Sequence, residues 1–270
     1  MVLITSGATR FLTHLFDTWE QSMPDILISN EGPVRKVRIN RPEKKNALTL
    51  AMYEAMAAAI ADAGNADSVK CLMIAGAPDV FCAGNDLTDF IAMARSGGLG
   101  EPIIRFLHTL AQCEKPIVAA VSGAAVGVGA TMLLHCDQVI ASENAVLLTP
   151  FVSLGLLPEA GSSLIAPRLM GHARAFSLLV MGKPLTAEEA KSAGIINAVV
   201  PASELETHAL NVAREIAALP PESVTAARRL MRGSVEEVIA RIDEEAEVFK
   251  TRLASPEAQK ALAAFLNRKR

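Results

Sequence analysis

The sequence is poor in aromatic residues and cysteine, and it carries no strong charge of either sign. Only 4% of its 270 residues are aromatic, so aliphatic side chains must fill the core. A formal net charge of −3 provides no basic field of the kind that nucleic-acid binding requires. The four cysteines form no C-x-x-C pair and no metal-ligand spacing, which is typical of buried thiols in a reducing compartment. The sequence therefore predicts a cytoplasmic protein without a metal site or a nucleic-acid partner.

The chain also lacks an uninterrupted apolar run long enough to span a bilayer. The nearest approach, residues 117–134, contains Ser122 and several glycines and is flanked by Lys115 and Asp137. Residues 1–22 have no basic start followed by a continuous apolar segment, so we expect no signal peptide there. One helical face of this segment is apolar. We interpret it as a frayed N-terminal extension in preference to a docking helix.

Hydrophobic residues make up 51% of the sequence, and their spacing changes along the chain. Up to about residue 200, short apolar runs alternate with helical segments, which predicts an α/β core with parallel sheet segments. Strands are expected at 26–29, 34–39, 69–75, 116–121, 137–141 and 195–200, and helices at 49–63 and 103–112. From about residue 160 helices dominate, at 160–181, 186–193, 203–218, 220–231 and 234–266. Arg228, Arg229 and Arg232 are expected to form a solvated helical face.

Two glycine-containing segments are candidates for binding a negative charge through the backbone. Residues 81–87 (FCAGNDL) and 122–130 (SGAAVGVGA) each lead from an apolar run into a helical segment. Small residues allow a ligand to approach the main chain, and a helix start leaves N–H groups free. The second segment has neither the dinucleotide-binding order G-x-G-x-x-G nor a Gly-Lys-Ser/Thr element. What remains is a helix N-terminus that is able to polarise a carbonyl oxygen, or simply tight packing.

A single carboxylate stands out in the third candidate segment, residues 149–163. Glu159 lies between Pro158 and Ala160 in apolar surroundings. It is either a carboxylate favourably placed at the start of the following helix or a partly desolvated proton carrier. The residues alone leave both interpretations open.

Together, these segments resemble the crotonase (enoyl-CoA hydratase/isomerase) superfamily from about residue 25 onward. The motifs that carry the resemblance are 41–48 (RPEKKNAL), 81–87, 115–117 with 122–129, 136–137, 155–161, and 255–260 (SPEAQK) with Phe265. The resemblance implies an α/β fold whose core, residues 23–200, is the family's ββα superhelical spiral. It also implies that residues 201–270 are a helical oligomerisation region of a homotrimer or a dimer of trimers.

The resemblance further implies an acyl-CoA thioester as substrate and no metal or redox cofactor. An oxyanion hole would come from the backbone N–H groups of Asn85 and Val128. The residues implied in binding substrate or CoA are Lys45, Asn46 and Ala47 at the nucleotide, Ala83, Asp86 and Leu87 at the pantetheine, and Phe249 and Lys260 at a neighbour's CoA site. Phe151 and Leu154 would form an apolar wall beside the reacting carbons. Asp86 is also expected to cap a helix.

The same resemblance bears on the reaction. At the two positions where hydratases of this superfamily carry glutamates, this chain has Thr131 and Phe151. Glu159 instead occupies the position of the single base in peroxisomal-type Δ3,Δ2-enoyl-CoA isomerases. We therefore expect an enoyl-CoA isomerase with Glu159 as the proton shuttle. The alternatives are a divergent hydratase or another crotonase-type enzyme of fatty-acid or aromatic-acid degradation, and a non-catalytic acyl-CoA binding protein.

Overall fold

The computed structural model describes residues 24–96 and 98–268. The predictions for residues 1–22 lie outside this part of the chain. Within it, no helix combines the length and the apolar character that crossing a membrane would require.

Ten strands in the described part of the chain form two sheets. The larger sheet has the order β1-β2-β3-β5-β7-β10, and the smaller one has the order β4-β6-β8-β9. The strands are β1 (Ile26–Glu31), β2 (Val34–Ile39), β3 (Cys71–Ala75), β4 (Val80–Cys82), β5 (Ile117–Val121), β6 (Ala124–Val126), β7 (Gln138–Ser142), β8 (Val146–Leu148), β9 (Leu185–Thr186) and β10 (Ala198–Val200). Every pairing is parallel except β1 with β2 and β8 with β9.

The helices follow the strands in a repeating order. They are α1 (Leu50–Asn65), α2 (Leu87–Ser96), α3 (Glu101–Gln112), α4 (Val128–Thr131), α5 (Ser162–Met170), α6 (His172–Leu179), α7 (Ala187–Ser192), α8 (Leu205–Ala217), α9 (Pro221–Arg232), α10 (Val235–Leu253) and α11 (Pro256–Arg268). Short 3₁₀ turns span Pro42–Lys44, Met132–His135 and Val152–Leu154. The strands β3, β5 and β7 of the large sheet are followed by β4, β6 and β8 of the small sheet, and helical residues come after each pair. This succession of strand, strand and helix confirms the predicted α/β fold with C-terminal helices.

The small sheet is the part of the core that the sequence analysis missed. No strand was expected between residues 75 and 116, but residues 76–84 contain β4. Strands of three residues are too short for an alternating hydrophobic pattern to be recognised. A glycine marks the corner between the sheets, because a Cβ on Gly123 would lie 1.9 Å from the carbonyl oxygen of Asp79.

Both faces of the large sheet are covered. Helices α1 and α3 cover one face of the large sheet. Their buried residues, among them Tyr53 and Phe106, belong to the main hydrophobic core. Helix α8 covers the other face through Leu205, Ala209 and Ala213. Alternate buried residues of the same parallel strands therefore contact different helices, as expected for a sheet that is buried on both sides.

Three boundaries in the helical part differ from the sequence-based expectation. The segment 160–181 is two helices, because Gly171 separates α5 from α6 with φ 78° and ψ 156°. The segment 234–266 is likewise divided, between α10 and α11. The predicted strand 195–200 is limited to β10. Helix α7 begins with a capping box, in which Thr186 and Glu189 exchange hydrogen bonds.

The expected solvated face on α9 is wrong for Arg228. Only 9% of this residue is exposed. Its Nε donates to both carboxylate oxygens of Asp137, at 2.7 and 2.8 Å, and Nη1 donates to the carbonyl of Cys113. The sequence shows the helical position of an arginine but not the half-buried acid, 91 residues away along the chain, that it will pair with. Arg228 therefore ties the C-terminal helices to the end of the large sheet.

Candidate active site

A cavity of about 150 Å³ lies where α2, α4, α10 and the segment after β8 meet. Its wall is mostly apolar and includes Phe90 and Phe249, whose rings pack edge to face with centroids 6.3 Å apart. Since one water occupies roughly 30 Å³ of liquid, the cavity has space for about five waters. It can therefore enclose the reacting end of a small acyl group but not a whole cofactor-sized molecule.

Asn85 contributes a free backbone N–H at this cavity. It forms an isolated parallel bridge with Leu48, in which the N–H of Leu48 donates to the carbonyl of Gly84 and the N–H of Asp86 donates to the carbonyl of Leu48, each at 2.8 Å. This pattern pins the residues on both sides of Asn85 and leaves its own N–H on the opposite side of the strand. Within residues 24–96 and 98–268, no carbonyl or side chain accepts from this N–H.

Val128 contributes a second free N–H from the start of α4. As the first residue of a helix it has no intrahelical acceptor, and no other acceptor is found in the described chain. The preceding Gly127 has φ 57° and ψ −121°, a conformation that is open only to glycine. Gly84 holds the corresponding place before Asn85, also at positive φ. A Cβ on Gly84 would lie 3.1 Å from the carbonyl oxygen of Val126, so the two turns pack directly against each other.

Glu159 is the carboxylate of this cavity. It is 5% exposed, and its Oε1 accepts a hydrogen bond of 2.5 Å from the hydroxyl of Thr131 on α4. Burial raises the pKa of Glu159 to about 8, an effect that the Thr131 hydrogen bond opposes and the nearby charge of Glu245 reinforces. Glu159 is the one titratable side chain among the described residues that line the cavity. The rest of the wall therefore offers Glu159 neither a positively charged nor an acidic partner.

The turn that carries Glu159 is held in place by hydrogen bonds to its backbone. Ala160 and Gly161 both have positive φ, at 65° and 67°. The ring of the buried His135 donates from Nε2 to the carbonyl of Ala160 at 2.8 Å. Burial lowers the pKa of His135 to about 4, so the ring is neutral at physiological pH. The backbone of the turn is therefore supported by a neutral donor that adds no charge beside the carboxylate.

A buried tyrosine fixes the side chain of Asn85 by a hydrogen bond. Tyr53 on α1 is 1% exposed, and its hydroxyl donates to Oδ1 of Asn85 at 2.5 Å. Burial raises the pKa of Tyr53 well above its usual value, and the charges of Glu159 and Cys82 raise it further. Tyr53 therefore stays protonated and remains a hydrogen-bond donor.

The structure brings together most of the residues that the resemblance had placed along the acyl group and the pantetheine, together with Phe249. The cavity wall includes Ala83, Asn85, Leu87, Val128, Phe151, Leu154, Glu159 and Phe249. Phe249 was expected at a neighbour's site. It lies in the wall of its own chain's cavity, because α10 packs across α3 and α5.

Other predicted contacts are not part of this cavity. Lys45 is exposed, and its carbonyl accepts from the N–H of Ala83 at 3.1 Å. Because Ala83 lines the cavity, this hydrogen bond places Lys45 and the half-buried Ala47 near the rim of the cavity. Asn46 was expected at the CoA nucleotide together with these two residues. Its side chain is fully buried and donates to the carbonyl groups of Val80 and Phe81, so it joins the loop at 41–47 to strand β4.

Asp86 and Lys260 also lie outside the cavity wall. The carboxylate of Asp86 accepts from Arg41 and from the N–H of Thr88, each at 2.8 Å, so its predicted role as a helix cap is confirmed. Arg41 holds the pKa of Asp86 below its usual range, although burial opposes the shift. Lys260 is exposed on α11, and the residue of that helix that does reach the cavity is Leu262.

Three groups at the site were missed by the sequence analysis: Tyr53, His135 and Glu245. Tyr53 is the one tyrosine of the chain, and a lone polar aromatic residue in an apolar helix is the signal that could have found it. Glu245 gives no such signal, because it lies in a run of acidic residues on a helix that looks solvated. Cys82, a possible nucleophile by its position, has a pKa raised to about 12 by burial and is a packing residue.

Comparisons with known proteins identify the family of this chain. A family model described as enoyl-CoA hydratase/isomerase matches residues 29–270. Enoyl-CoA delta isomerase 2 of Rattus norvegicus is 38% identical over 255 residues, which are 92% of this chain and 65% of that protein. The chain thus spans slightly less than two thirds of the length of this relative. Peroxisomal enoyl-CoA delta isomerase 3 of Mus musculus is 34% identical, with 91% of this chain and 79% of that protein covered.

A solved structure gives the same fold. The Pseudomonas aeruginosa protein OdaA is 42% identical and superimposes with a TM-score of 0.87, covering 91% of this chain and all of that one.

Proposed function

We propose, from the premise that this chain belongs to the enoyl-CoA hydratase/isomerase family, that it shifts a carbon–carbon double bond from C3 to C2 of an acyl-CoA thioester. In the proposed reaction, Glu159 takes a proton from C2 of the 3-enoyl group, and the resulting dienolate carries its charge on the thioester oxygen. The same carboxyl group then returns a proton to C4, so atoms and charges balance within one substrate molecule.

The thioester oxygen is proposed to accept hydrogen bonds from the N–H groups of Asn85 and Val128. Both groups are free, both belong to residues of the cavity wall, and both follow a glycine at positive φ. Donors that are already oriented before the reaction stabilise a developing negative charge without reorganising. Losing one such donor typically costs about 3–4 kcal/mol of transition-state stabilisation. The proposed step needs no metal or redox cofactor, since it only moves a proton.

The observation that carries the proposal is that Glu159 stands alone. Adding water across a double bond requires one group to activate the water and another to protonate C2. Thr131 cannot ionise usefully and Phe151 is apolar, so the described cavity wall offers a single proton carrier. Moving a proton from C2 to C4 requires only one.

The environment of Glu159 suits a group that must both accept and release a proton. A carboxyl group of ordinary pKa is a weak base at neutral pH. One with a pKa of about 8 is close to neutral pH and can therefore both take up and release a proton there. The apolar wall of Phe151, Leu154 and Leu156 would keep water from the dienolate.

The direct test is incubation of the protein with a 3-enoyl-CoA while the absorbance of the conjugated 2-enoyl product is followed. Glu159→Gln keeps the shape and the hydrogen bond from Thr131 but removes the base, so turnover should fall by at least about 10²-fold. Glu188→Gln is the matched control, because Glu188 is exposed on α7 and makes no contact with the cavity.

Crotonyl-CoA separates the proposal from its rival. Hydration that survives Glu159→Gln would instead support a divergent hydratase. Binding of acyl-CoA without turnover of either thioester would support a non-catalytic protein. Either result would overturn the isomerase assignment.

A further inference from the structure

Helix α10 carries a buried carboxylate that binds the backbone just beyond Glu159. Glu245 is 4% exposed. Its Oε2 accepts from the N–H of Gly161 at 2.6 Å, and its Oε1 accepts from the N–H of Ser163 at 2.9 Å. These N–H groups open helix α5, whose N-cap is Gly161 and which therefore has no side chain of its own to cap it.

The two hydrogen bonds act on a turn that is otherwise unusual. Ala160 and Gly161 occupy consecutive left-handed conformations, which alanine adopts only under constraint. The carbonyl of Glu159 accepts from the N–H of Ser162 at 3.1 Å, so the direction of the Glu159 side chain depends on where the start of α5 lies. Because Glu245 uses both oxygens on that helix start, a rotation of its carboxylate would move the turn.

We propose that Glu245 is a positioning residue for the proton shuttle: its carboxylate anchors the turn that carries Glu159, and its negative charge acts on the Glu159 carboxyl. The inference rests on the proposed function of Glu159. Helix α10, which belongs to the expected oligomerisation region, would then be a part of the site in its own chain. Phe249, one turn further along the same helix, already contributes to the cavity wall.

The charges around this pair come from several elements. Glu159 is influenced by Glu245 from α10, and it in turn influences Tyr53 on α1 and Cys82 on β4. Thr131 on α4 donates to it. Burial raises the pKa of Glu245, an effect that the hydrogen bonds from Ser163 and Gly161 and the charge of Arg241 on α10 oppose. Within this set, Glu245 is the one named charge that raises the pKa of Glu159.

The test uses Glu245→Gln and Glu245→Ala in the full chain. Glutamine keeps one acceptor but removes the charge, so the titration of Glu159 should move to lower pH, because its ionised form no longer faces a like charge. Alanine removes both acceptors, so kcat at the optimal pH should fall about tenfold or more through misplacement of the base, while KM changes little.

A matched control separates positioning from general helix packing. Glu237 also joins α10 to α5, but through an exposed ion pair with Arg168 rather than through the backbone of the turn. Glu237→Gln should leave kcat and the pH profile unchanged. A loss of kcat in Glu237→Gln equal to that in the Glu245 variants would overturn the inference.

The readouts also remain informative if the isomerase assignment fails. Exchange of the C2 protons of a saturated acyl-CoA in deuterated buffer needs only the base and the two N–H groups. The titration of Glu159 itself can be followed by ¹³C NMR of glutamate-labelled protein, with Glu159→Gln identifying its signal. If Glu245→Ala does not fold, Glu245→Gln decides. A wild-type Glu159 titration together with wild-type turnover or exchange in that variant would refute the proposal.

Discussion

The hydrogen bond from Thr131 to Glu159 can be tested by Thr131→Val. Valine has nearly the shape of threonine, so it fills the same buried position on α4 without leaving a cavity. It removes the hydroxyl that donates to Oε1 of Glu159 at 2.5 Å. The same hydroxyl also lies 3.4 Å from the carbonyl oxygen of Gly127, so the change removes this longer contact together with the short hydrogen bond to the proposed base.

The expected size of the effect follows from the difference between the two protonation states. A hydrogen bond to a charged group is worth about 1.5–3 kcal/mol. The hydroxyl can also accept a hydrogen bond from the protonated carboxyl, so only part of this energy distinguishes the two states. Taking about 1.4 kcal/mol for the difference gives a shift of about one unit. The sign is upward, because the Thr131 hydrogen bond lowers the pKa of Glu159.

The assay is kcat/KM for a 3-enoyl-CoA as a function of pH. In the wild-type protein kcat/KM should rise through an apparent pKa of about 8, as the base becomes ionised. In Thr131→Val the rise should be centred about one unit higher, since the shift is about 1.4 kcal/mol. At pH 7 the ionised fraction then falls from about one tenth to about one hundredth, so kcat/KM falls about tenfold, and the two curves converge at high pH.

Thr131→Ser is the control, because it keeps the hydroxyl group and should keep the wild-type profile. A Thr131→Val profile at the wild-type position, or one moved to lower pH, would contradict the reasoning. It would mean that the threonine hydroxyl does not stabilise the ionised carboxylate.

Three further predictions concern the same cavity. Burial raises the pKa of Glu159 from 4.5 to about 8, so the stability that this group contributes is complete below pH 4.5 and is lost as the pH rises through 8. Glu159→Gln should therefore raise Tm at pH 9, because it removes the cost of burying an ionised carboxylate, roughly 4–5 kcal/mol, and the gain should vanish near pH 4.5. An equal Tm of the variant and the wild-type protein at pH 9 would contradict this. Tyr53→Phe should lower kcat about fivefold without changing KM, since it removes a hydrogen bond of about 1 kcal/mol from Asn85, and an unchanged kcat would show that this support is not needed. Gly127→Ala should lower kcat by up to about 10²–10³-fold by displacing the N–H of Val128, while affinity for free CoA in calorimetry stays the same; full activity would refute the role of that N–H.

The sequence predicted the large sheet better than the small one. The runs that became β3 and β5 are continuous and apolar, and β7 is apolar at its centre, because both faces of that sheet are covered. Such runs are visible without knowledge of the fold. Strands β4, β6 and β8 have three residues each, and they are recognised only through the strands that pair with them.

The candidate site was predicted where its function depends on local backbone geometry. Gly84 and Gly127 precede the two N–H groups, and both are visible in the sequence as breaks in apolar runs. The carboxylate of Glu245 was missed, because its partners, Gly161 and Ser163, lie 84 and 82 residues away along the chain. The contacts of the Asn46 amide were missed for the same reason, because its partners Val80 and Phe81 lie 34 and 35 residues away along the chain.

The alternation of strands between the two sheets separates the parts of the site. The N–H groups come from successive passes of the chain, after β4 and after β6, and the pairing of these two strands sets their spacing. The acid comes from the next pass, after β8. The proposed anion-binding element thus needs no particular side chain at 85 or 128, whereas an acid can be moved or duplicated by exchanging single side chains around the cavity. An architecture of this kind allows one scaffold to acquire new proton-transfer reactions while its means of stabilising the negative oxygen is inherited unchanged.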